Sequence, residues 1–465
     1  MHSSSNEGMT VKTRQPELSH RTLDNGTRCV IATMPDAPLT CLDIWCQAGS
    51  FSEQPGEEGL AHFLEHMVFK GSERLQAGEF DRRIEALGGS SNAATGFDDV
   101  HFHVLVPPSA ATKALELLLD LVLRPALRAD TFAMEREVVL EEIAQYRDQP
   151  DEQVIQTLLK GCCTDHPYGR PILGFEASLN ASDPEAMRRF HHRRYQGPNC
   201  CMAIAGAIPE ELAEVLSGDW LEAMNHPFGM AAPQATAAQQ ATAAQQATAA
   251  QQATAAPQAN QGARGEGSWQ SPSTLEFTAG REEIRVARLE SGRLLMAWLI
   301  PPASNQAMIM GADLATTLLA EGRRSRLVQH LREELQIVES IDMDVTALEQ
   351  GSLVMLEACC PEDQLQRVEQ EIRTLLIAGL DSPPLNQEMA RARQLVRNGL
   401  CFNLEAAGQV AGLAGPQALW NRPQPLLQPL EHLNAWGADR LQQEILPLLQ
   451  PDRSFTLLAR PLEAS

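Results

Sequence analysis

Residues Gly59–Gly71 read GLAHFLEHMVFKG and combine apolar residues at helical spacing with a terminal glycine. The spacing predicts a short, mostly buried helix, and Gly71 stands where a helix ends in a left-handed residue. Successive helical residues turn by about 100°, so His66 lies about 40° from His62 around the axis and Glu65 about 60° to the other side. All three side chains therefore project from one face.

Two neutral imidazoles one turn apart can hold one zinc ion, and a nearby carboxylate can accept a proton from an attacking water molecule. These are the groups that hydrolysis of an amide bond requires. The glutamate precedes the second histidine, His66, which inverts the commoner order His-Glu-x-x-His. Taken alone, the five residues from His62 to His66 are equally compatible with ordinary core or surface side chains on one helix.

A second predicted helix, over residues 131–149, contains candidates for a third ligand, because a catalytic zinc site takes three protein ligands and keeps one position open. Glu135 and Glu142 are seven residues apart and therefore share one face of this helix. Glu141 lies about 100° away from Glu142 and is better placed for solvent. The shared face is expected to point inward because it carries two apolar residues, Val138 and Val139.

Together these residues resemble the inverted-motif zinc peptidases of the pitrilysin, insulysin and mitochondrial processing peptidase family. In that family the third ligand is a glutamate about as far beyond the second histidine as Glu142, which follows His66 by 76 residues. The resemblance implies that His62, His66 and Glu142 bind zinc and that Glu65 is the general base. In the family, a second glutamate one heptad before the third ligand supports the site. The resemblance therefore implies an auxiliary catalytic role for Glu135.

The resemblance also implies the fold and the division of the chain. The family has an α+β metallohydrolase fold of two similar halves, each a mainly antiparallel sheet with packed helices, which close like a clamshell. We expect a disordered tail over residues 1–16, a zinc-binding catalytic domain over 17–225 and a homologous domain without metal over 273–465. Residues 226–272 form a low-complexity linker with four successive copies of the hexamer QATAAQ, the last ending in Pro257.

Substrate contacts are expected on a predicted edge strand. In the family, a matching Asn-Ala-x-Thr segment lies near the zinc, and the peptide adds to it as a further strand, which holds an extended chain without reading its sequence. The resemblance assigns the segment 91–95 to this role, with Asn92 foremost and Ala93 and Thr95 beside it, and an ordinary edge strand is the alternative. His101 and His103 alternate along the next strand and are assigned solvent or core roles.

The second half departs from the family pattern. It contains no His-x-x-Glu-His and cannot bind zinc in the same way. Family members carry there an arginine and, seven residues on, a tyrosine, which bind the substrate and the developing oxyanion. Arg332 occupies the first position as a substrate-binding residue, but Glu339 occupies the second, and a carboxylate opposes an oxyanion.

The glutamate in place of the family tyrosine affects which partner chain we expect. Some family members divide the metal site and the Arg/Tyr pair between two chains. We therefore expect a heterodimer in which this chain supplies the metal site and a homologous non-metal subunit supplies the pair, with a homodimer as the alternative.

The composition limits the binding partners and the cellular compartment that we expect for this protein. The formal net charge of -23 argues against nucleic acid and anionic membrane surfaces as partners. The ten cysteines include three pairs that are adjacent in sequence, and none forms a Cys-x-x-Cys motif. This pattern argues against a disulfide framework or a thiolate zinc site. The first residues match neither a signal nor a transit peptide, and no apolar stretch is long enough to span a membrane, so we expect a cytoplasmic protein.

The resulting expectation is a zinc endopeptidase or oligopeptidase acting on extended peptides. The alternative is a non-catalytic structural or peptide-binding subunit, because relatives of this fold serve as core subunits of membrane complexes. Those relatives usually have damaged metal motifs, whereas the motif here is complete.

Overall fold

The structure is a computed structural model that describes residues 15–217 and 274–462. The predicted linker, and all but the last two residues of the predicted tail, lie outside these ranges. The described residues form two halves, each a sheet with packed helices, which confirms the predicted fold class. Among these residues, no helix combines the length and hydrophobicity that crossing a bilayer requires.

The first half contains six strands and eight α-helices among its described residues. In chain order they are β1 (Glu17–Thr22), β2 (Arg28–Thr33), β3 (Thr40–Cys46), α1 (Leu60–Val68), α2 (Glu79–Ala86), β4 (Ser90–Thr95), β5 (Val100–Val106), α3 (Ala111–Leu123), α4 (Ala129–Asp148), α5 (Pro150–Cys162), α6 (Glu176–Ala181), α7 (Pro184–Arg194), β6 (Cys200–Gly206) and α8 (Glu210–Ser217). The strands are ordered β1-β2-β6-β3-β5-β4, and only β2 and β6 run parallel. Strand β4 is therefore an edge, as predicted.

The second half repeats this plan. Its elements are β7 (Gly280–Val286), β8 (Gly292–Ile300), α9 (Gln306–Ala320), a π-helical segment (Val328–Glu334), β9 (Ser340–Thr346), β10 (Ser352–Cys360), α10 (Leu365–Ala378), α11 (Asn386–Phe402), α12 (Ala407–Leu419), α13 (Gln428–Asn434), α14 (Ala438–Arg440), a second π-helical segment (Leu441–Ile445) and β11 (Phe455–Pro461). The strand order is β7-β11-β8-β10-β9, with only β7 and β11 parallel.

The two faces of the first sheet have different neighbours. On one face, Phe63 and Leu64 of α1 are buried in a core with Phe102 of β5. On the other face, Trp45 of β3 packs against α12 from the second half. The approach is close, because a Cβ on Gly415 of α12 would lie only 2.4 Å from the indole nitrogen of Trp45. The first sheet thus separates the α1 layer from a helix of the second half.

A buried polar network also joins the halves near the turn between β4 and β5. The Tyr168 hydroxyl donates to Asp98 at 2.5 Å and accepts from the Gln350 amide at 3.1 Å. The second Asp98 oxygen accepts from the Glu349 amide at 2.9 Å. Arg422 donates to both Glu349 carboxylate oxygens, at 2.6 and 2.7 Å. These contacts hold a loop of the second half against the turn that follows β4.

Candidate metal centre

Helix α1 begins at a tightly fixed point. The Glu53 carboxylate is buried and accepts from the backbone amides of Gly59 and Ala61, at 3.0 and 2.8 Å, so it satisfies N–H groups that the first helical turn leaves unpaired. Burial raises the pKa of Glu53 to about 8, and the two amides oppose that shift. Gly59 has φ +93°, and a Cβ there would lie 2.4 Å from the carbonyl oxygen of Leu173. The start of α1 is therefore set by one carboxylate and one glycine.

Three of the predicted ligands converge beyond that point. Glu142 Oε2, on α4, lies 3.7 Å from His62 Nε2 and 3.4 Å from His66 Nε2. One ligand atom from each residue lies within 4.8 Å of the others. In a tetrahedral zinc site with bonds of about 2.1 Å, neighbouring ligand atoms are about 3.4 Å apart. The two nitrogens and one oxygen therefore fit a zinc ion.

The protonation state of His62 also suits a metal ligand. Burial, with a further contribution from neighbouring His66, lowers the pKa of His62 to about 4. The imidazole is therefore neutral at pH 7, and only the neutral form offers a nitrogen lone pair to a metal. Its Nδ1 atom is buried and makes no hydrogen bond within the described part of the chain.

Glu135 lies behind His66. Its carboxylate is 6% exposed and approaches His66 Nδ1 at 2.9 Å and Lys70 Nζ at 2.7 Å. A carboxylate at one ring nitrogen keeps the proton there and leaves the other nitrogen free for a metal. Glu135 thus orients the His66 ring, a predicted ligand. Lys70, which follows the end of α1, was not among the predicted site residues.

Glu65 faces the same space from α1. The Thr95 hydroxyl of β4 donates to Glu65 Oε2 at 2.5 Å. Burial raises the pKa of Glu65, and the Thr95 hydrogen bond partly offsets that effect. Thr95 therefore contacts Glu65, in addition to the substrate role predicted for it.

The prediction that Val138 points inward is wrong, because this side chain is 48% exposed. The buried stripe of α4 instead contains Glu135, Val139 and Ile143, which follow one another at four-residue intervals. Val138 lies about 100° from Val139 and falls outside the stripe. Glu142 lies at its margin and is half-buried, which brings its carboxylate to the histidines.

Comparisons with known proteins identify the family. The family model "Insulinase (Peptidase family M16)" matches residues 28–176, and "Peptidase M16 inactive domain" matches residues 182–396, which together cover most of the chain. The chain belongs to peptidase family M16. This identification confirms the family resemblance stated from the motif.

Curated relatives of this M16 chain are named uncharacterized zinc proteases. One, from Rickettsia bellii, is 25% identical over 378 residues, which are 81% of this chain and 82% of the relative. Another, YmxG of Bacillus subtilis, is 23% identical over 446 residues, 95% of this chain and 98% of the relative.

A solved structure of a Helicobacter pylori protease has a TM-score of 0.80 at 21% identity and covers 96% of this chain and 100% of its own. A putative M16-like peptidase from Alicyclobacillus acidocaldarius has a TM-score of 0.75 at 18% identity, covering 96% of this chain and 99% of its own. These likenesses show the fold.

The metal centre of the M16 chain opens into a cavity of about 1140 Å³. His62, Glu65 and Glu142 form part of its wall, and the residues that line it all lie between positions 55 and 175. Ala94 and Thr95 of β4 line it as well, so the edge strand reaches the cavity. Ala94 falls within the predicted segment 91–95, although it was not singled out there.

The other predicted substrate residues lie elsewhere. Asn92 is exposed on β4, and half-buried Ala93 packs against the α1 core; neither lines the cavity. Arg332 lies in the π-helical segment of the second half, where its guanidinium binds Glu333 at 2.9 Å. Within the described residues, the second half contributes no side chain to the cavity wall.

Proposed function

We propose that this chain is a zinc-dependent peptidase that hydrolyses extended peptides. One observation carries the proposal: the donor atoms of His62, His66 and Glu142 converge at zinc spacing. His62 and Glu142 lie with Glu65 on the wall of one large cavity. The names of the curated relatives support zinc and proteolysis. A cytoplasmic location stays a prediction.

Glu65 is proposed as the group that moves the proton. Its carboxylate would take a proton from the attacking water and deliver it to the departing amine, as a general base and then a general acid. The raised pKa of Glu65 suits both steps, and the Thr95 hydroxyl fixes one carboxylate oxygen. A zinc ion held by the three ligands supplies a Lewis acid that polarises the peptide carbonyl.

The edge strand β4 is proposed to bind the substrate. Its outer backbone groups are free of sheet partners among the described strands, so an extended peptide can pair with them beside the metal centre. Asn92, Ala93 and Thr95 lie on this strand, and pairing through the backbone makes few demands on the peptide sequence.

A partner chain is proposed to complete the site. Arg332 does not reach the cavity within one chain, and Glu339 is exposed, accepting hydrogen bonds from Ser291 and Cys359. The proposed partner is a homologous non-metal subunit with the Arg/Tyr pair. A non-catalytic role, the second candidate, would leave the complete donor set without a use.

The proposed activity is tested with a quenched fluorescent peptide and the purified zinc-loaded chain. We expect a chelator to abolish hydrolysis and added zinc to restore it. The His62→Ala variant should stay inactive after zinc is returned. Hydrolysis that persists unchanged without zinc would refute the proposal.

The partner proposal has its own test. We expect the chain alone to be slow, and addition of a homologous non-metal subunit that carries the Arg/Tyr pair to raise its rate on the order of 10²-fold, the effect of one oxyanion donor. The same subunit with that tyrosine changed to phenylalanine serves as the matched control. Native mass spectrometry and an activity assay on the same sample give the oligomeric state and the specific activity. A homodimer of the unaltered chain with full specific activity would contradict the heterodimer proposal.

A further inference from the structure

A second cluster of metal-binding side chains lies on the other face of the first sheet. Asp43 is on β3, His101 and His103 are on β5, and the two strands are antiparallel neighbours with Asp43 opposite His103. Alternate residues of a strand share a face, so all three side chains project to the same side. That side also carries Trp45, which packs against α12. The cluster is therefore separated from the first metal centre by the sheet.

The three side chains are close enough to share one ion. One ligand atom from each lies within 4.8 Å of the others. Asp43 is only 2% exposed, and its two oxygens lie 3.0 and 3.3 Å from His101 Nδ1. The His101 ring stacks on Trp45 with centroids 4.1 Å apart and on His103 at 5.4 Å. Packing on the sheet thus holds both imidazoles in place before any ligand arrives.

One ring nitrogen of His103 has no hydrogen-bond partner among the described residues. Its Nδ1 atom is buried and makes no hydrogen bond to any residue in 15–217 or 274–462. A buried polar atom without a partner costs free energy. A cation bound between His103 and Asp43 would give this nitrogen a partner.

The local charge favours a cation. The carboxylates of Asp43, Asp99 and Glu65 place negative charge around His101. His103 also lies in the field of Asp43. The whole chain adds a formal charge of -23.

We propose that Asp43, His101 and His103 form a second site for a divalent transition-metal ion of the zinc type. Two histidines at alternate positions of one strand and a carboxylate from the neighbouring strand give three nitrogen and oxygen ligands, the donor set that zinc accepts while keeping a fourth position open. The half-buried histidines leave the cluster accessible from solvent. The site shares no ligand with the first centre.

Binding there would join β3 to β5 next to the edge strand. Asn92 and Ala94 of β4 lie directly opposite His103 and His101. An ion at the second site would therefore fix the register of three strands, including the one proposed to bind peptide. Its primary role would be to stabilise this sheet edge, independently of whether the first centre is catalytic.

The test counts zinc per chain after equilibrium dialysis against a zinc buffer. We expect two equivalents for the unaltered chain and one for the double variant His62→Ala/His66→Ala. Adding His103→Gln to that double variant should remove the remaining equivalent. His20→Ala, at an exposed position of β1 outside both clusters, should keep two.

Cobalt(II) gives a second readout that requires no substitution in the new site. The double variant His62→Ala/His66→Ala should bind one cobalt ion with the visible absorption of low-coordinate nitrogen and oxygen ligation. Circular dichroism verifies that each variant is folded. Saturation of the unaltered chain at one metal ion, or a second equivalent that survives the loss of His103, would overturn the proposal.

Discussion

At the level of single residues, the pair Glu135–His66 shows how a group outside the cavity acts on the metal centre. The buried carboxylate binds His66 Nδ1 on one side and Lys70 on the other. Because imidazole can carry its proton on either nitrogen, this contact decides which nitrogen faces Glu142. Glu135 is accordingly a positioning residue, since it touches a ligand and does not line the cavity.

We predict that Glu135→Gln weakens zinc binding at the first centre. The amide keeps the shape of the side chain but loses the charge that orients and polarises His66, so the zinc affinity should fall by about 10- to 100-fold. Competition with a chromophoric chelator measures this change. Glu141→Gln, an exposed neighbour on α4, is the control, and equal affinities for the two variants would contradict the assignment.

The sequence could predict that His62, His66 and Glu142 lie together, because the motif is local and Glu142 lies at a spacing typical of the family. It could not predict the second cluster, because Asp43 and His101 are 58 residues apart and carry no shared motif. Only the pairing of β3 with β5 brings them together. Lys70 was missed for a simpler reason: a single lysine does not suggest a site without its neighbours.

At the level of elements, helix α1 is fixed where it begins. Gly59 combines a left-handed backbone with close contact to Leu173 in the loop that lines the cavity. Few L-residues adopt this backbone conformation without strain, and any side chain at this position would push the loop away. The orientation of His62 and His66 therefore depends on the size of residue 59.

We predict that Gly59→Ala lowers the free energy of unfolding by about 3 kcal/mol, from backbone strain together with overpacking. Gly56→Ala is a matched control, because Gly56 has φ +90° and a Cβ there would meet nothing within 4 Å. It should cost only about 1 kcal/mol, the strain alone. Urea unfolding of both variants measures the difference, and equal losses would show that the contact with Leu173 does not matter.

Helix α4 shows which features of a helix hydrophobic periodicity can predict. The predicted range, 131–149, agrees closely with Ala129–Asp148, and Glu141 is exposed as expected. The inward face was misjudged at Val138 because a valine was taken as a marker of burial. What decides burial is the contact with α1, and that contact follows the stripe through Glu135 and Val139.

At the level of the whole molecule, the halves are joined by both apolar and polar contacts. Arg422 and Glu349 form a two-point ion pair with side chains 20% and 11% exposed, next to the buried Asp98 that binds Tyr168. Such pairs are strongly destabilising when one partner is removed, because the other charge stays buried. The network thus couples the second half to the turn after β4.

We predict that Arg422→Ala lowers the free energy of unfolding by about 3 kcal/mol. Arg288→Ala removes an ion pair that does link the halves, to Asp148, but those side chains are 70% and 69% exposed. It should cost less than about 0.5 kcal/mol. Chemical denaturation of the two variants side by side checks this, and a small loss for Arg422→Ala would mean that its pair with Glu349 does not stabilise the loop that contacts Asp98.

At this scale the family resemblance predicted two similar halves, whereas the contacts between them were not predictable. The Glu349 amide and the Asp98 carboxylate are 251 residues apart in sequence, and neither residue stands in a recognisable pattern. The small residues of α12 gave no sign that this helix packs against the first sheet. The boundaries at 17–225 and 273–465 stay predictions.

The most direct test of the central claim is the Glu65→Gln variant, measured for zinc content and peptide hydrolysis on the same sample. Glu65 is proposed to move the proton without binding the metal. We predict that the variant keeps the zinc content of the unaltered chain while its hydrolysis rate falls on the order of 10³-fold. Glu141→Gln should change neither quantity. Undiminished turnover by Glu65→Gln with zinc bound would contradict the account.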